Sequence, residues 1–252
     1  MYAAASTLLV CLGFFAPNSP IQSPTPTDTP KVELPKSAKE ALQPFNTLIG
    51  SWRGSGAPEG TKEERAAGAW TETTTWSWQF KEQDAWMAVT FDKGKHFTKG
   101  ELRYTPEKDK PRFTLALTAT DKSTATFVGT YSDKDKALSL DRTDTPAGSD
   151  EQRLVFSLLH HNRHLYRFDT RPAGTTVTFN KKWQVGATKE GVAFADVPKG
   201  PECIVSGGLG TMKVTYKGTD YWVCCSGCRD AFKENPEKYI KEAKEAEAKA
   251  KK

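Results

Sequence analysis

The chain has 252 residues, 37% of them hydrophobic and 27% charged, with a formal net charge of +5. That length allows one or two domains, and seven tryptophans within an 11% aromatic share supply enough apolar material for a folded core, which excludes wholesale disorder. No apolar run approaches the roughly 20 residues of a membrane helix, and the small positive balance is not the concentrated basic face of a nucleic-acid binder, so a polytopic membrane protein and a nucleic-acid protein are both set aside.

Ala3 to Phe15 is apolar apart from Ser6 and Thr7, which matches the core of a signal peptide in length. No Lys or Arg precedes it, and Pro17 follows Ala16, the small residue best placed for cleavage. Residues 1–16 are therefore expected to be an export signal, which makes the protein periplasmic or secreted. The alternatives are an uncleaved N-terminus that tethers it to the membrane, or a short buried helix. Residues 17–39 carry Pro17, Pro20, Pro24, Pro26, Pro30 and Pro35 among Ser, Thr and charged residues. Proline fixes φ and removes donors, so this stretch is expected to be an extended, disordered linker.

Residues 40–198 form the bulk of the chain. Ala38 to Phe45 can make one short helix with Ser37 as its N-cap. Beyond it the pattern turns to period two. Trp70 to Trp78, rich in Thr and Trp, reads as a strand. Ala85 to Phe91, Gly100 to Tyr104, Phe113 to Thr120, Thr124 to Tyr131, Ala137 to Asp141, Arg153 to Leu159, Leu165 to Phe168, Thr175 to Phe179 and Gly191 to Phe194 read similarly. Turn chemistry fills the gaps, as at Asp92-Lys-Gly94 and Ser132-Asp-Lys-Asp135. About ten short strands without long helices predict a mainly β protein, an antiparallel up-and-down barrel with a sandwich as the alternative.

Leu48-Ile-Gly-Ser-Trp-Arg-Gly-Ser-Gly56 resembles the opening Gly-x-Trp strand of lipocalin-like barrels and is similar to the start of nitrobindin-type haem barrels. The resemblance implies a barrel that holds a small apolar or haem-like ligand, with Gly50 allowing a close backbone approach and Trp52 plugging the floor. A haem ligand would have to be His96, His160, His161 or His164. Three of these fall in Leu158-Leu-His-His-Asn-Arg-His-Leu165, a hairpin tip with Asn162-Arg163 as its turn, where solvated turn histidines are the commoner outcome and a metal site the rarer one. No nucleophile–base order, phosphate loop or paired-carboxylate motif stands out, so the chain is expected not to be an enzyme.

The cysteines carry the sharper signal. Cys11 stands alone near the N-terminus, whereas Cys203, Cys224, Cys225 and Cys228 share one short window. The coarse order is a knuckle at Cys203, a strand Met212 to Tyr216, a turn at Lys217-Gly-Thr-Asp220, a strand Tyr221 to Cys224, and a helix starting near Gly227. Placing the later cysteines where a strand becomes a helix favours thiolates, because helix N-termini lower thiol pKa. Cys225 and Cys228 have the Cys-x-x-Cys spacing of a zinc knuckle; four thiolates suit tetrahedral Zn²⁺, and three suit Cu(I). In an oxidising compartment two disulfides are the competing use, and a redox-active Cys225/Cys228 pair is another.

Cys203, Cys224 and Cys228, with twenty residues between the first two, together with Tyr221-Trp222, Phe232 and Asn235-Pro-Glu-Lys-Tyr239, closely resemble the YHS/TRASH family of metal-binding modules. The resemblance covers about residues 200–243 and implies a heavy-metal site on Cys203, Cys224 and Cys228, with Cys225 as an optional fourth ligand. The chain departs from the family's Cys-Gly-Met opening, having Cys203-Ile-Val-Ser-Gly, and adds Cys225, which leaves Zn or Cu(I) open. After Tyr239 the sequence is a charged helix without an apolar stripe; Glu237/Lys241 and Glu245/Lys249 pairs would support it.

The expected organisation is a signal at 1–16, a linker at 17–39, a lipocalin-like barrel at 40–198, a small α+β cysteine-rich metal-binding module at 199–245 and a charged helical tail at 246–252. The expected function is that of an exported, non-enzymatic heavy-metal-binding protein for capture, delivery or sensing. The alternatives are a small-molecule or haem carrier whose zinc knuckle is only structural, and a thiol redox protein.

Overall fold

The computed structural model describes residues 37–107, 111–192 and 200–250. The expected signal, the linker as far as residue 36, the boundary at 193–199 and the end of the predicted strand Gly191–Phe194 lie outside the described residues. The ten strands are β1 (Gly50–Pro58), β2 (Trp70–Lys81), β3 (Asp84–Asp92), β4 (Phe97–Pro106), β5 (Pro111–Ala119), β6 (Thr124–Ser132), β7 (Ala137–Arg142), β8 (Glu151–His160), β9 (Arg163–Arg171) and β10 (Asn180–Lys189). Each is antiparallel to its neighbour in sequence, and β1 pairs with both β2 and β10, which closes the barrel. The period-two pattern explains the closure. On β2, Glu72, Thr74, Trp76 and Trp78 are buried and face inward, and on β5 Phe113, Leu115 and Leu117 do the same. The inner face is filled by side chains that pack on one another, among them Trp76 on Phe156, Phe156 stacked on Tyr166 and Phe168 stacked on Trp183.

One end of the barrel carries a cap. Ser37 accepts a hydrogen bond from the Glu40 N–H and starts α1 (Ala38–Leu42). The turn tightens at Pro44 into a 3-10 helix, Gln43–Leu48, so the single helix expected over 38–45 is two short ones. Leu42, Phe45 and Leu48 are fully buried under this cap, and Phe45 packs edge-on against Phe113 and Tyr131 at about 5 Å. Trp52 lies at the same end, 1% exposed, its indole N–H donating to the Leu48 carbonyl at 2.6 Å.

Three strand-level expectations are corrected. Thr175–Phe179 is an irregular loop, and Gly191 sits in a turn at φ +74°. The tenth strand is instead β10, whose Trp183, Val185 and Ala187 face inward; Lys181-Lys182 and Gly186 mask that alternation in the sequence. The histidine hairpin turns at His161-Asn162, not Asn162-Arg163, because a bulge between Leu158 and His160 places His160 opposite Arg163. His164 is consequently not a solvated turn residue but buried inside the barrel, edge-on to Trp52 with ring centroids 4.5 Å apart. A short helix that the sequence reading missed, α2 (Lys62–Gly68), is started by a capping box between Thr61 and Glu64.

The C-terminal part is α+β: a hairpin of β11 (Met212–Tyr216) and β12 (Thr219–Val223), then α3 (Ser226–Glu234) and α4 (Pro236–Ala250). Lys217 and Gly218 both take positive φ, +48° and +78°, and make a two-residue turn. As far as residue 250 the charged tail is the end of α4, and α4 is not solvated all round. Tyr239 is buried and Lys39 of α1 bonds Glu242 at 2.6 Å. Glu237 pairs with Lys217 of the hairpin at 2.8 Å rather than with Lys241, while Lys241 lies 3.9 Å from Glu245. No helix among the described residues is long and apolar enough to cross a membrane. All described residues fall in one compact unit, and the buried core runs without a break from the barrel into Cys203, Val205, Val223 and Phe232.

Candidate metal centre

The site is built from a loop, a hairpin and a helix start. At Cys203 the chain doubles back: the Cys203 N–H donates to the Gly208 carbonyl at 2.6 Å, and the Gly207 N–H to the Cys203 carbonyl at 2.9 Å. Gly207 takes φ +74° in this loop, a conformation that suits glycine. The Ser206 N–H donates to Cys203 Sγ at 3.5 Å, and the Ser206 hydroxyl lies 3.3 Å from Cys224 Sγ. The hairpin then returns the chain, with Ile204 N–H on the Trp222 carbonyl and Thr211 N–H on the Val223 carbonyl, both at 2.9 Å. Cys224 follows β12, Cys225 is the extended N-cap of α3, and Cys228 lies in its first turn.

The four cysteines are free and buried; the two-disulfide arrangement is not the one found. The sulfurs of Cys203, Cys224 and Cys228 all lie within 4.8 Å of one another, and Cys224 Sγ is 3.5 Å from Cys228 Sγ. Three sulfurs sharing one ion at about 2.3 Å each would stand roughly 3.8–4.0 Å apart, so the cluster fits a thiolate-held ion with little rearrangement. Cys225 lies at the edge of that group: its sulfur is 3.8 Å from Cys224 Sγ and also accepts the backbone N–H of Trp78 at 3.4 Å.

The thiols are electrostatically uneven. Hydrogen bonds from the Cys224 and Cys228 thiols, with the Ser206 N–H and hydroxyl, hold the Cys203 sulfur far below the ordinary thiol range, at about 2. Cys225 is likewise lowered, to about 3, by the Cys224 and Cys228 thiols and by the N–H groups of Cys228 and Trp78. Cys224 and Cys228 are pushed up, chiefly because they donate to Cys203. A barrel residue stands beside the site: burial holds the Lys189 ammonium below its ordinary range, and it lies 5.2 Å from the Trp52 ring centroid.

The barrel builds one wall of the site. β1 pairs with β2 only up to Trp76, opposite Gly50, so the rest of β2 overhangs with a free edge. An exposed strand edge presents unpaired N–H and C=O groups. Here α3 covers it: the Trp78 N–H meets Cys225, and Gly227 sits so close to the Trp78 carbonyl that an added methyl would overlap it. The Trp78 indole N–H donates to Asn46 Oδ1 at 2.9 Å, and Asn46 Nδ2 donates to the Ser206 carbonyl at 3.0 Å.

The structure thus brings Cys203, Cys224 and Cys228 together and turns Cys225 toward the barrel. The histidines do not gather: His164 is buried inside, whereas His160 and His161 are exposed at the hairpin end. Among the described residues the cysteine trio is the one group placed to hold a metal ion. Ser206, Asn46 and Trp78 escaped the sequence reading. Ser206 lies in the loop after Cys203, where a knuckle was already visible. Asn46 carries no sequence signal, since it stands 160 residues from its partner.

The family model of the YHS domain matches residues 210–243, which run from the start of the hairpin into α4 and include Cys224, Cys225 and Cys228; Cys203 precedes the match. No curated protein matches the chain. Among solved structures, the crystal structure of Rv2717c from M. tuberculosis is similar to it at 16% identity, covering 63% of this chain and 99% of that one, with a TM-score of 0.37. The YHS match and the cysteine cluster together identify the C-terminal segment as a metal-binding module.

Proposed function

We propose that the protein is an exported, non-enzymatic carrier of a soft heavy-metal ion, which Cys203, Cys224 and Cys228 bind as thiolates for capture, delivery or sensing. Of the two metals left open by the sequence, the arrangement favours Cu(I) over Zn²⁺. The observation that carries this is the convergence of three sulfurs, those of Cys203, Cys224 and Cys228, within 4.8 Å of one another, a group that does not include Cys225. Three soft ligands suit Cu(I), whereas structural Zn²⁺ asks for four. Burial of all four sulfurs argues against thiol exchange with a partner, which needs an accessible thiolate. The test is native mass spectrometry of the reduced full chain with Cu(I) or Zn²⁺. One Cu(I) should bind, Cys203→Ser should abolish it, and Cys225→Ser should leave Cu(I) affinity within about threefold. No bound metal in reduced protein, or Zn²⁺ held more tightly than Cu(I) and lost with Cys225, would overturn the assignment.

A second reading, a carrier barrel stapled by the cysteine site, draws on one observation. His164 is the inward, buried histidine, and its Nδ1 has no hydrogen-bond partner among the described residues. Haem titration followed by the Soret band, with His164→Leu as the control, separates this reading from the first; an unshifted spectrum would remove it.

A further inference from the structure

The hydrogen bonds that orient the cysteine sulfurs do not end within the C-terminal module. Cys203 Sγ takes the Ser206 N–H, and Cys224 Sγ faces the Ser206 hydroxyl. The Gly208 N–H donates to that hydroxyl oxygen at 3.4 Å, which holds the hydroxyl from a second side. Ser206 is 1% exposed, and one residue thus serves two candidate ligands. What fixes Ser206 itself comes from outside the module. Its carbonyl accepts from Asn46 Nδ2, and Asn46 Oδ1 accepts from the indole of Trp78. Asn46 belongs to the 3-10 cap of the barrel and Trp78 to its overhanging strand. The glycine at 208 leaves just enough room: a methyl there would approach Asn46 Cγ to 3.1 Å.

We propose that Asn46 is a positioning residue for the metal centre: by clamping the Ser206 carbonyl against the barrel it holds the Ser206 N–H and hydroxyl on Cys203 and Cys224, so that the barrel sets how tightly the cysteines hold their ion. The proposal rests on the reading of the cysteine trio as a metal site. The physical reason is that outer hydrogen bonds fix ligand orientation and tune ligand basicity, and their loss typically lowers metal affinity by about 10–100-fold. The amide suits the task because it donates to a carbonyl with one end and accepts from an indole with the other. Asn46→Asp keeps the acceptor for Trp78 but places an anionic acceptor against the Ser206 carbonyl, so it should break the clamp alone.

The experiment is a competition titration of the reduced full chain with Cu(I) and a chromophoric chelator. It compares wild type, Asn46→Asp, Asn46→Ala, Ser206→Ala and the Asn46→Ala/Ser206→Ala double variant, with the metal-free melting curve of each recorded in parallel. Asn46→Asp and Asn46→Ala should each weaken Cu(I) by about 10–100-fold at temperatures where the metal-free melts show every variant folded. Because Asn46 acts through Ser206, the double variant should lose less than the product of the two single losses. Unchanged affinity with only a lowered melt would show that Asn46 serves packing alone and would overturn the proposal; losses that multiply in full would overturn the route through Ser206. A wild type that binds no Cu(I) would instead remove the metal-site reading, a result that the comparison keeps separate.

Discussion

Gly227→Ala tests the contact on which the site's geometry depends. A methyl on Gly227 would stand 2.7 Å from the Trp78 carbonyl carbon and nearer still to its oxygen. Carbon atoms rest about 3.5–4.0 Å apart and both partners here are backbone; the overlap with the oxygen is deeper still, so α3 must retreat by well over ~1 Å. Two effects oppose each other. Alanine favours a helix over glycine by about 1 kcal/mol at most, while overpacking a close contact costs about 1–3 kcal/mol. The retreat also stretches the Trp78 N–H to Cys225 Sγ bond, now 3.4 Å. A backbone-on-backbone overlap stands at the upper end of that range, so the clash should win and leave a net loss of about 2 kcal/mol in the docking of the module. The assay is the rate at which a thiol reagent labels the four buried cysteines of metal-free protein under native conditions. A loss of about 2 kcal/mol should raise that rate about 30-fold, since 1.4 kcal/mol is a factor of ten. Labelling within twofold of wild type, or slower, would mean that α3 does not rest on the β2 edge.

Three further outcomes follow from the geometry. Trp52→Ala should cost roughly 3–5 kcal/mol in denaturant unfolding by leaving a large buried cavity; a loss below about 1 kcal/mol would place Trp52 outside the core. Burial, aided by the Lys189 charge, lowers His164 to about 3, so it stays neutral in the fold while the unfolded chain takes up a proton below about 6.5; this stability is whole above pH 6.5 and falls as pH drops toward 3, by roughly 4–5 kcal/mol, and His164→Leu should flatten that part of the profile by the same amount, whereas an unchanged profile would refute it. Cys224 and Cys228 are held above the ordinary thiol range, chiefly because they donate to Cys203, so metal binding should release protons and affinity should rise with pH between about 6 and 8; an affinity independent of pH there would contradict this.

The fold was legible where chemistry repeats locally. Alternating Thr and Trp in Trp70–Lys81 can bury one face only as a strand, and β3, β5 and β7 show the same alternation. β10 was not, because Lys181 and Lys182 break its start and Gly186 offers no side chain to read. The His160–His164 run misled because a one-residue bulge at Leu159 shifts the hairpin turn and, with a period of two, decides which histidine faces inward. At the site, the spacing of Cys203, Cys224 and Cys228 pointed to a convergent trio, and the adjacency of Cys224 and Cys225 already implied that their side chains leave in different directions. The contribution of the barrel could not be read at all. The strand overhang exists because β1 begins at Gly50, opposite Trp76, and no local pattern in β2 announces that its neighbour stops there.

That overhang changes how a small cysteine module can be stable. A segment the size of residues 200–250 cannot bury enough apolar surface to fold well alone, and such modules usually depend on their metal. Here the metal is not the sole support. Phe232 is buried against Tyr221, and α4 is tied to the barrel cap by buried Tyr239 and the Lys39–Glu242 pair. The free edge of β2, which would otherwise be a liability, is satisfied by Cys225 and covered by α3. The exchange is mutual: the barrel gains cover for its exposed backbone, and the cysteines gain a rigid wall. Because these contacts are made by residues other than the cysteines, they restrain the sulfurs independently of an ion, and less ordering is left for binding to supply. The barrel interior, by contrast, is occupied by its own aromatic side chains. What the barrel gives the metal centre therefore comes from its cap and its rim: Asn46, Trp78 and the backbone that Gly227 touches.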